Sequence, residues 1–208
     1  MQIDNFSTTG VKEVLNNIKK TFKGMPPSIE EIRQSLMSEH KTEEDFVKIL
    51  EKHHGYLEES IVVLKEAEAS SAEKQEHLSR LIQVLTMHAK AEQETLYQSL
   101  IHATDRAARL EGLAGHNEHD IAFQIARELQ RMNFQISWSE EIDAKAQVLA
   151  GIIHNHIKEE EGDMFDLAET AIDEIQMRAL ASVYLEKCKM YVEETLPINP
   201  DLTARELL

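Results

Sequence analysis

Ten histidines stand out in this chain of 208 residues, because several of them precede a glutamate by four positions. His88 is followed by Glu92, and His156 is followed by Glu160. On an α-helix, residues four apart lie on one face, about 6 Å apart along the axis, so each pair can aim an imidazole and a carboxylate into the same space. Imidazole and carboxylate together suit iron, manganese or zinc. A carboxylate can also bridge two ions.

The glutamates of both pairs interrupt apolar stripes. Glu92 follows Leu85 by seven positions and precedes Leu96 by four, and Glu160 continues the line of Ile153. A buried carboxylate without a partner costs several kcal/mol, so both glutamates need a compensating cation. One such pair by itself proves little, because His-x-x-x-Glu often arises by chance and a lone histidine on an apolar face is usually a hydrogen-bonded core residue.

The elements that must position these residues are helices. The chain has only 7 glycines and 4 prolines, too few for a many-stranded sandwich or barrel, and its apolar residues recur with helical period. We predict an all-α fold, an up-down-up-down four-helix bundle with an N-terminal helical extension and a C-terminal helix. The bundle helices are expected at about 43–69, 71–102, 105–135 and 139–173, and the last helix at about 174–195.

Local signals mark where these helices begin. A serine or threonine followed three residues later by an acid is typical of a helix N-terminus, because the hydroxyl accepts from a backbone N–H. This pattern predicts starts at Ser28, Thr42, Ser70 and Ser137. Gly112 and Gly115 make the first half of the third bundle helix the weakest part of the prediction.

The helix register brings the histidines together. Antiparallel helices joined by a short turn place two residues at one level when both are equally far from the turn. The pair His54 and His88 has its midpoint at 71, His88 and His119 at 103.5, and His119 and His156 at 137.5, each at a predicted turn. We therefore expect four histidines in one layer of the bundle. The two glutamates lie about one turn away and face each other from diagonal helices.

Some assignments remain open at this stage. His53 could replace His54; we prefer His54 because Leu50 and Leu57 flank it at −4 and +3. Glu58, four residues after His54, is expected in a surface pair. The tyrosine hydroxyls that could lie near the site belong to Tyr56, Tyr97 and Tyr184. The histidines expected to be bystanders are His40, His77, His102, His116 and His154.

The ordered set of motifs resembles the hemerythrin-like (HHE cation-binding) family. Its pattern is a histidine in the first helix, His-x-x-x-Glu in the second, Glu-His in the third and His-x-x-x-Glu in the fourth. The matching residues here are His54, His88 with Glu92, Glu118 with His119, and His156 with Glu160. The resemblance covers about residues 43–170. It is nearest to a subgroup with four histidines and two glutamates, because the His-x-x-x-x-Asp motif of the oxygen carriers is missing.

The resemblance implies a non-haem diiron centre with an oxo or hydroxo bridge. By carry-over, His54, His88, His119 and His156 are terminal ligands, and Glu92 and Glu160 are bridging carboxylates; manganese or zinc could use the same donors. The implied function is to bind or react with oxygen, peroxide or nitric oxide, in iron-centre repair or redox stress. Repair members often carry an N-terminal cysteine pair, whereas this chain has only Cys188. Whether the protein turns over a substrate is left open.

Two other functions are compatible with the same residues. One is an iron or oxygen sensor, or a binding module, which changes shape without turnover. The other is a metal-free helical scaffold, for which removing a buried histidine or glutamate would be mild or stabilising.

Charge and segment patterns bound the partners. The net charge of −16 argues against nucleic-acid binding. We expect no signal peptide and no membrane span, hence a cytoplasmic protein. Residues 1–41 are predicted to be an N-terminal helical extension and residues 42–208 the bundle with its C-terminal helix. Lysines surround an apolar face between Val11 and Phe22. This segment is expected to pack on the acidic bundle, with docking on a membrane surface or on a protein partner as the alternatives.

Overall fold

A computed structural model of the protein describes residues 29–38 and 45–195. The described residues are helical and contain no strand, which confirms the all-α prediction. The helices are α1 (Ile29–Ser38), α2 (Phe46–Lys65), α3 (Ser71–Gln93), α4 (Leu96–Ile101), α5 (Arg106–Arg131), α6 (Glu140–Glu159), α7 (Phe165–Ala171) and α8 (Glu174–Thr195). A single π-helical turn, Glu160–Met164, joins α6 to α7.

Four segments form the predicted bundle: α2, α3 with α4, α5, and α6 with the π turn and α7. Helix α2 packs against α3 and α6, and α5 packs against α4 and α6, so α3 and α6 are diagonal. The helices bury the apolar stripes expected from their period, with Leu50, Leu81 and Leu149 fully buried in the core. Helix α8 lies outside the bundle along α3 and also contacts α1 and α2.

The helix starts agree in part with the sequence signals. Ser70 and Glu73 form the predicted capping box. The prediction of Ser137 as a cap is wrong, because the chain first makes a turn in which Asn133 has a φ of 55°. The hydroxyl of Ser139 instead accepts the Ile142 N–H and begins α6. Asp45 caps α2. The predicted caps Ser28 and Thr42 lie outside the described residues.

The predicted continuous helix at 71–102 is wrong, because the chain breaks between α3 and α4. Thr95 leaves the helical region, with φ −124° and ψ −85°, and its hydroxyl donates to the Ala91 carbonyl. The break brings α4 close to α5 at two glycines. A Cβ added at Gly112 would lie 2.8 Å from the Leu100 Cβ, and one at Gly115 would lie 2.8 Å from the Tyr97 hydroxyl oxygen. The glycines that weaken α5 as a helix therefore permit a close approach of α4.

The fourth bundle segment, predicted as one helix over 139–173, changes its period at the π turn and ends at Ala171. The Phe165 N–H donates to the Glu160 carbonyl, five residues back. The extra residue in this turn lets Glu160, Met164 and Phe165 all be buried. Such π turns occur frequently at functional sites.

Other predictions concern parts of the chain that the structure does not describe. The basic face between Val11 and Phe22 lies outside the described residues. Of the extension, α1 is described, and it lies against α8. The boundary between residues 1–41 and 42–208 stays a prediction. Among the described helices, none combines the length and the apolar character needed to cross a bilayer.

Candidate metal centre

Six polar side chains from the four bundle segments meet in the core. They are the six residues singled out from the sequence, and each is at most 5% exposed: His54, His88, Glu92, His119, His156 and Glu160. Their helices bring them together because each residue continues an apolar stripe that faces the bundle axis. The structure thus makes one interior cluster of imidazoles and carboxylates.

Glu92 lies between histidines of two helices. Its Oε2 is 3.1 Å from the His88 Nε2 on its own helix α3 and 3.7 Å from the His119 Nε2 on α5. One carboxylate oxygen therefore lies within 4 Å of imidazole nitrogens from two different helices.

Glu160 has the corresponding position on the diagonal helix. Its Oε2 is 3.0 Å from the His54 Nε2 on α2, and its Oε1 is 3.4 Å from the His156 Nε2, one turn earlier on its own segment. Each glutamate thus has one histidine at i−4 and one from another helix.

The donor atoms fall into two overlapping sets. In what we call the first set, one atom from each of His54, His88, Glu92 and Glu160 lies within 4.8 Å of the others. In the second set, the same is true of Glu92, His119 and His156. Both sets include Glu92, so two ions placed in them would share a carboxylate.

The inward-facing atoms of the cluster lack hydrogen bonds. The buried atoms with no hydrogen-bond partner among the described residues include the Nε2 atoms of His54, His88 and His119, both Glu92 oxygens and the Glu160 Oε2. Buried polar atoms in native proteins are nearly always satisfied. Nitrogen and oxygen donors that converge in this way fit a cation, so these residues could hold a metal.

The outer ring nitrogens of three of these histidines do have partners. The Nδ1 of His54 is 2.8 Å from the Glu161 Oε1, and that of His156 is 2.7 Å from the Glu118 Oε2. The Nδ1 of His88 is 2.7 Å from the Tyr184 hydroxyl. A partner on the outer nitrogen fixes the ring with its Nε2 lone pair toward the centre, as in metal-binding histidines. The His119 Nδ1 has no hydrogen-bond partner among the described residues.

Tyr97 enters the cluster from α4. It is fully buried, and its hydroxyl donates to the Glu160 Oε1. The Tyr97 hydroxyl oxygen also lies 3.2 Å from the His156 Nε2. Burial, together with the nearby Glu160 charge, raises the pKa of Tyr97 well above its usual value. Without a cation this side chain is a neutral phenol.

The histidines fall into two electrostatic types when no cation is bound. Burial alone would lower the pKa of His54, but the carboxylates of Glu160 and Glu161, 3.0 Å from its Nε2 and 2.8 Å from its Nδ1, raise that pKa to about 9. His156 also has a raised pKa, because the Glu160 charge outweighs its burial. Burial lowers the pKa values of His88 and His119 well below the usual range. Each set therefore contains one histidine that readily carries a proton and one that does not.

The two carboxylates differ as well. The pKa of Glu92 is raised well above its usual range by burial and by the charge of Glu160. Burial acts in the same direction on Glu160, but His156 and His54 outweigh it and hold the pKa of Glu160 well below its usual range. In the metal-free protein, protons on the histidines thus compensate Glu160.

The open assignments come out as follows. His53 is buried but lies in neither set; its Nδ1 is 2.7 Å from the Tyr184 hydroxyl, and burial lowers its pKa to about 3. Glu58 lies outside both sets and pairs with His154, its Oε1 3.5 Å from the His154 Nδ1. The described bystanders His77, His102, His116 and His154 are likewise in neither set, and His40 lies outside the described residues.

Four contributors were not assigned a place from the sequence. Tyr97 and Tyr184 were named as candidates, but their hydroxyls could not be placed, because α4 turns at an unsignalled break and α8 lies outside the bundle. Glu118 could have been found as the neighbour of His119 in the Glu-His motif. Glu161 belongs to an acidic run that usually marks a solvated face, and it is indeed 40% exposed.

Comparison with known proteins addresses the family. The family model described as the hemerythrin HHE cation binding domain matches residues 45–168, which include the first three bundle segments, the fourth as far as residue 168 in α7, and the whole cluster. Neither the curated proteins nor the solved structures give a significant match. Among the described residues, α1 and α8 lie outside the matched segment. Since that segment is more than half of the chain, the chain belongs to the hemerythrin HHE cation-binding family.

Proposed function

We propose that the cluster holds two iron ions and that the loaded centre binds or reacts with a small oxidant or gas, such as oxygen, peroxide or nitric oxide. The observation that carries this proposal is the position of Glu92 and Glu160. Each buried carboxylate lies between histidines of two different helices, and both Glu92 oxygens and the Glu160 Oε2 have no hydrogen-bond partner among the described residues. That is the arrangement expected of carboxylates shared by two cations.

The donor set favours iron over soft metal ions, which prefer thiolates, and over the hard ions calcium and magnesium. It combines imidazoles with carboxylates and contains no thiolate, since Cys188 is hydrogen-bonded to Tyr184 on α8. Imidazole and carboxylate suit iron, with manganese and zinc as competitors, whereas calcium and magnesium prefer oxygen alone. A ferrous pair, when bound, supplies electrons to an oxidant.

The residues of this chain contribute charge, orientation and exclusion of water. Glu92 and Glu160 would neutralise the ions, and Glu161, Glu118 and Tyr184 hold three imidazole rings in place. Six donors for two ions leave coordination positions unfilled, and the donors are at most 5% exposed. A site this enclosed favours a ligand of two or three non-hydrogen atoms.

The test is anaerobic loading of the full chain with ferrous iron, followed by elemental analysis and absorption spectra before and after air and dithionite. We expect two ions per chain, with near-ultraviolet absorption that appears in air and bleaches on reduction. Glu92→Gln should abolish loading, whereas Glu58→Gln, which changes a half-buried glutamate that lies in neither set, should load normally. Failure of the unaltered protein to retain metal would refute the site.

A second candidate function is a sensor, and the position of Tyr184 favours it. This residue links His88 to α8, which contacts α1, so a change at the centre has a path of direct contacts to both helices outside the matched domain. A sensor would react once and alter hydrogen exchange in α8. An enzyme would consume peroxide or nitric oxide repeatedly with α8 unchanged, so the two measurements together separate these functions.

A further inference from the structure

We propose that Tyr97 is a seventh donor of the centre, and that its phenolate oxygen coordinates the ion held by Glu92, His119 and His156. This inference rests on the proposed function. It differs from it by adding a ligand that no motif of the chain indicates, and by making the second set chemically different from the first.

The position of the hydroxyl oxygen is that of a ligand. Ligand atoms about 2.0–2.1 Å from one ion, at angles of roughly 90–110°, lie about 3 Å from one another. The Tyr97 hydroxyl oxygen is 3.2 Å from the His156 Nε2 and directly contacts the Glu160 Oε1. It therefore lies at the spacing of a neighbouring ligand from His156, a donor of the second set, and directly beside Glu160, a donor of the first set.

The surrounding structure is arranged to admit this ring. The break after α3 turns α4 inward and buries Tyr97 completely. Gly115 leaves the space that the ring occupies, because an added Cβ would lie 2.8 Å from both the Cζ and the hydroxyl oxygen of Tyr97. The ring also packs on His119, with 5.2 Å between ring centroids. Three independent features thus hold the phenol oxygen against the second set.

The competing role is a hydrogen bond alone, in which Tyr97 stays a phenol and only orients Glu160. Coordination requires the phenol to release its proton to solvent as the ion binds, with no change in oxidation state of either partner. The two roles differ in a spectroscopic signature. A phenolate bound to Fe³⁺ transfers charge to the metal on absorbing visible light, whereas a hydrogen-bonded phenol does not absorb there.

The experiment compares the ferric, iron-loaded full chain with Tyr97→Phe and a matched control, Tyr191→Phe. The control is apt because the Tyr191 hydroxyl also donates to a glutamate, Glu94, away from the cluster. Iron content is measured on each sample by elemental analysis. We expect a visible absorption band in the unaltered protein and in Tyr191→Phe, with tyrosine ring vibrations enhanced in resonance Raman spectra excited in that band. Tyr97→Phe should lose the band while it retains iron.

Each other outcome has a definite meaning. Two bound irons without a visible band would overturn coordination by Tyr97 and leave the proposed function standing. A band that survives in Tyr97→Phe and disappears in Tyr184→Phe would overturn it in favour of the other tyrosine. No bound iron in the unaltered protein would overturn both. If Tyr97→Phe fails to hold iron, Gly115→Ala decides, because it keeps every donor and displaces the ring: the band must weaken, and an unchanged band would refute the proposal.

Discussion

The two donor sets of the cluster share Glu92 but depend on different parts of the chain. In the first set, the outer nitrogens of His54 and His88 are held by Glu161 of the π turn and by Tyr184 of α8. In the second set, His156 is held by Glu118 on the neighbouring α5, and His119 has no such partner among the described residues. Tyr97 instead reaches the second set from α4.

This difference shows that two equivalent sequence motifs can have different structural supports. The two His-x-x-x-Glu pairs are related by sequence, and each glutamate lies between the histidine at i−4 and a histidine of another helix. The supports around them are not related, because they come from a helix break, a π turn and a helix beyond the matched domain. We expect the first set to respond to changes in α8 and the second set to changes in α4.

The largest effect should come from the carboxylate common to both sets. Glu92→Gln removes the charge that both ions need, so we expect metal affinity to fall by more than about 100-fold, beyond the range seen for outer partners of ligands. Both ions should be lost together, as measured by elemental analysis after gel filtration.

The same variant has an opposite expected effect on the metal-free protein. Because burial raises the pKa of Glu92, an amide there should leave the thermal midpoint of the metal-free protein unchanged or higher. Loss of one ion only would show that the sets do not share this residue. A strongly destabilised metal-free variant would indicate a structural role for Glu92 instead.

The second set can be disturbed without touching a donor. Gly115→Ala places a Cβ 2.8 Å from the Tyr97 hydroxyl oxygen, and overpacking of this kind costs about 1–3 kcal/mol in the free energy of unfolding. Denaturant titration would measure it. Gly151→Ala in the middle of α6 is the control, since no atom lies within 4 Å of its added Cβ. It should stabilise by about 0.5–1 kcal/mol. Equal effects of the two changes would contradict the close approach of α4.

The first set can be tested from α8. Tyr184→Phe removes the hydroxyl beside the His88 Nδ1, and loss of such a partner typically weakens metal binding by about 10–100-fold. We expect one of the two ions to bind more weakly in a calorimetric titration and the other to bind as before. Glu118→Gln, which acts on His156, should weaken the other ion. If both variants affect the same ion, the division into two sets is wrong.

The smallest expected effect is the pH dependence of metal affinity that results from one proton on His54. In the metal-free protein His54 has a pKa of about 9 and carries a proton at pH 7, which an incoming ion displaces. Affinity should rise about tenfold per pH unit up to about pH 9 for each proton released.

The stability of the metal-free protein should change in the opposite direction. Because the pKa of His54 in the folded protein lies above its ordinary value of 6.5, the protonated ring stabilises the folded state fully below pH 6.5. This stabilisation is lost as the pH rises toward 9. The gap between the melting temperatures of loaded and metal-free protein should therefore widen with pH, as measured by calorimetry. A gap that narrows would contradict the charge assigned to His54. His154→Ala, away from the cluster, should leave this trend intact.

Much of this arrangement follows from the sequence, because the spacing between histidines encodes the register of the bundle. The midpoints of the histidine pairs fall at the turns, so the meeting of His54, His88, His119 and His156 could be predicted. The choice of His54 over His53 followed from its flanking leucines. The family and the all-α fold follow from the same ordered motifs.

The parts that could not be predicted depend on local departures from a regular helix. The stretch around Thr95 contains no glycine or proline, so nothing in it signals a break, and the position of Tyr97 could not be deduced. The π turn contains one glycine, Gly162, but a single glycine does not indicate an added residue. Tyr184 lies in a helix whose direction relative to the bundle is set by packing, which the sequence period does not encode.

The π turn also makes position 162 tolerant of substitution but intolerant of deletion. Gly162 is exposed, and an added Cβ there would meet no atom within 4 Å, so a larger side chain fits. Deleting the same residue would restore a regular helix and rotate everything after it by about 100°. Phe165, which stacks on the His54 ring with 5.8 Å between centroids, would leave that ring, and α8 would no longer point Tyr184 at His88. In related chains, the residue type at this position should therefore vary, but the position should not be deleted.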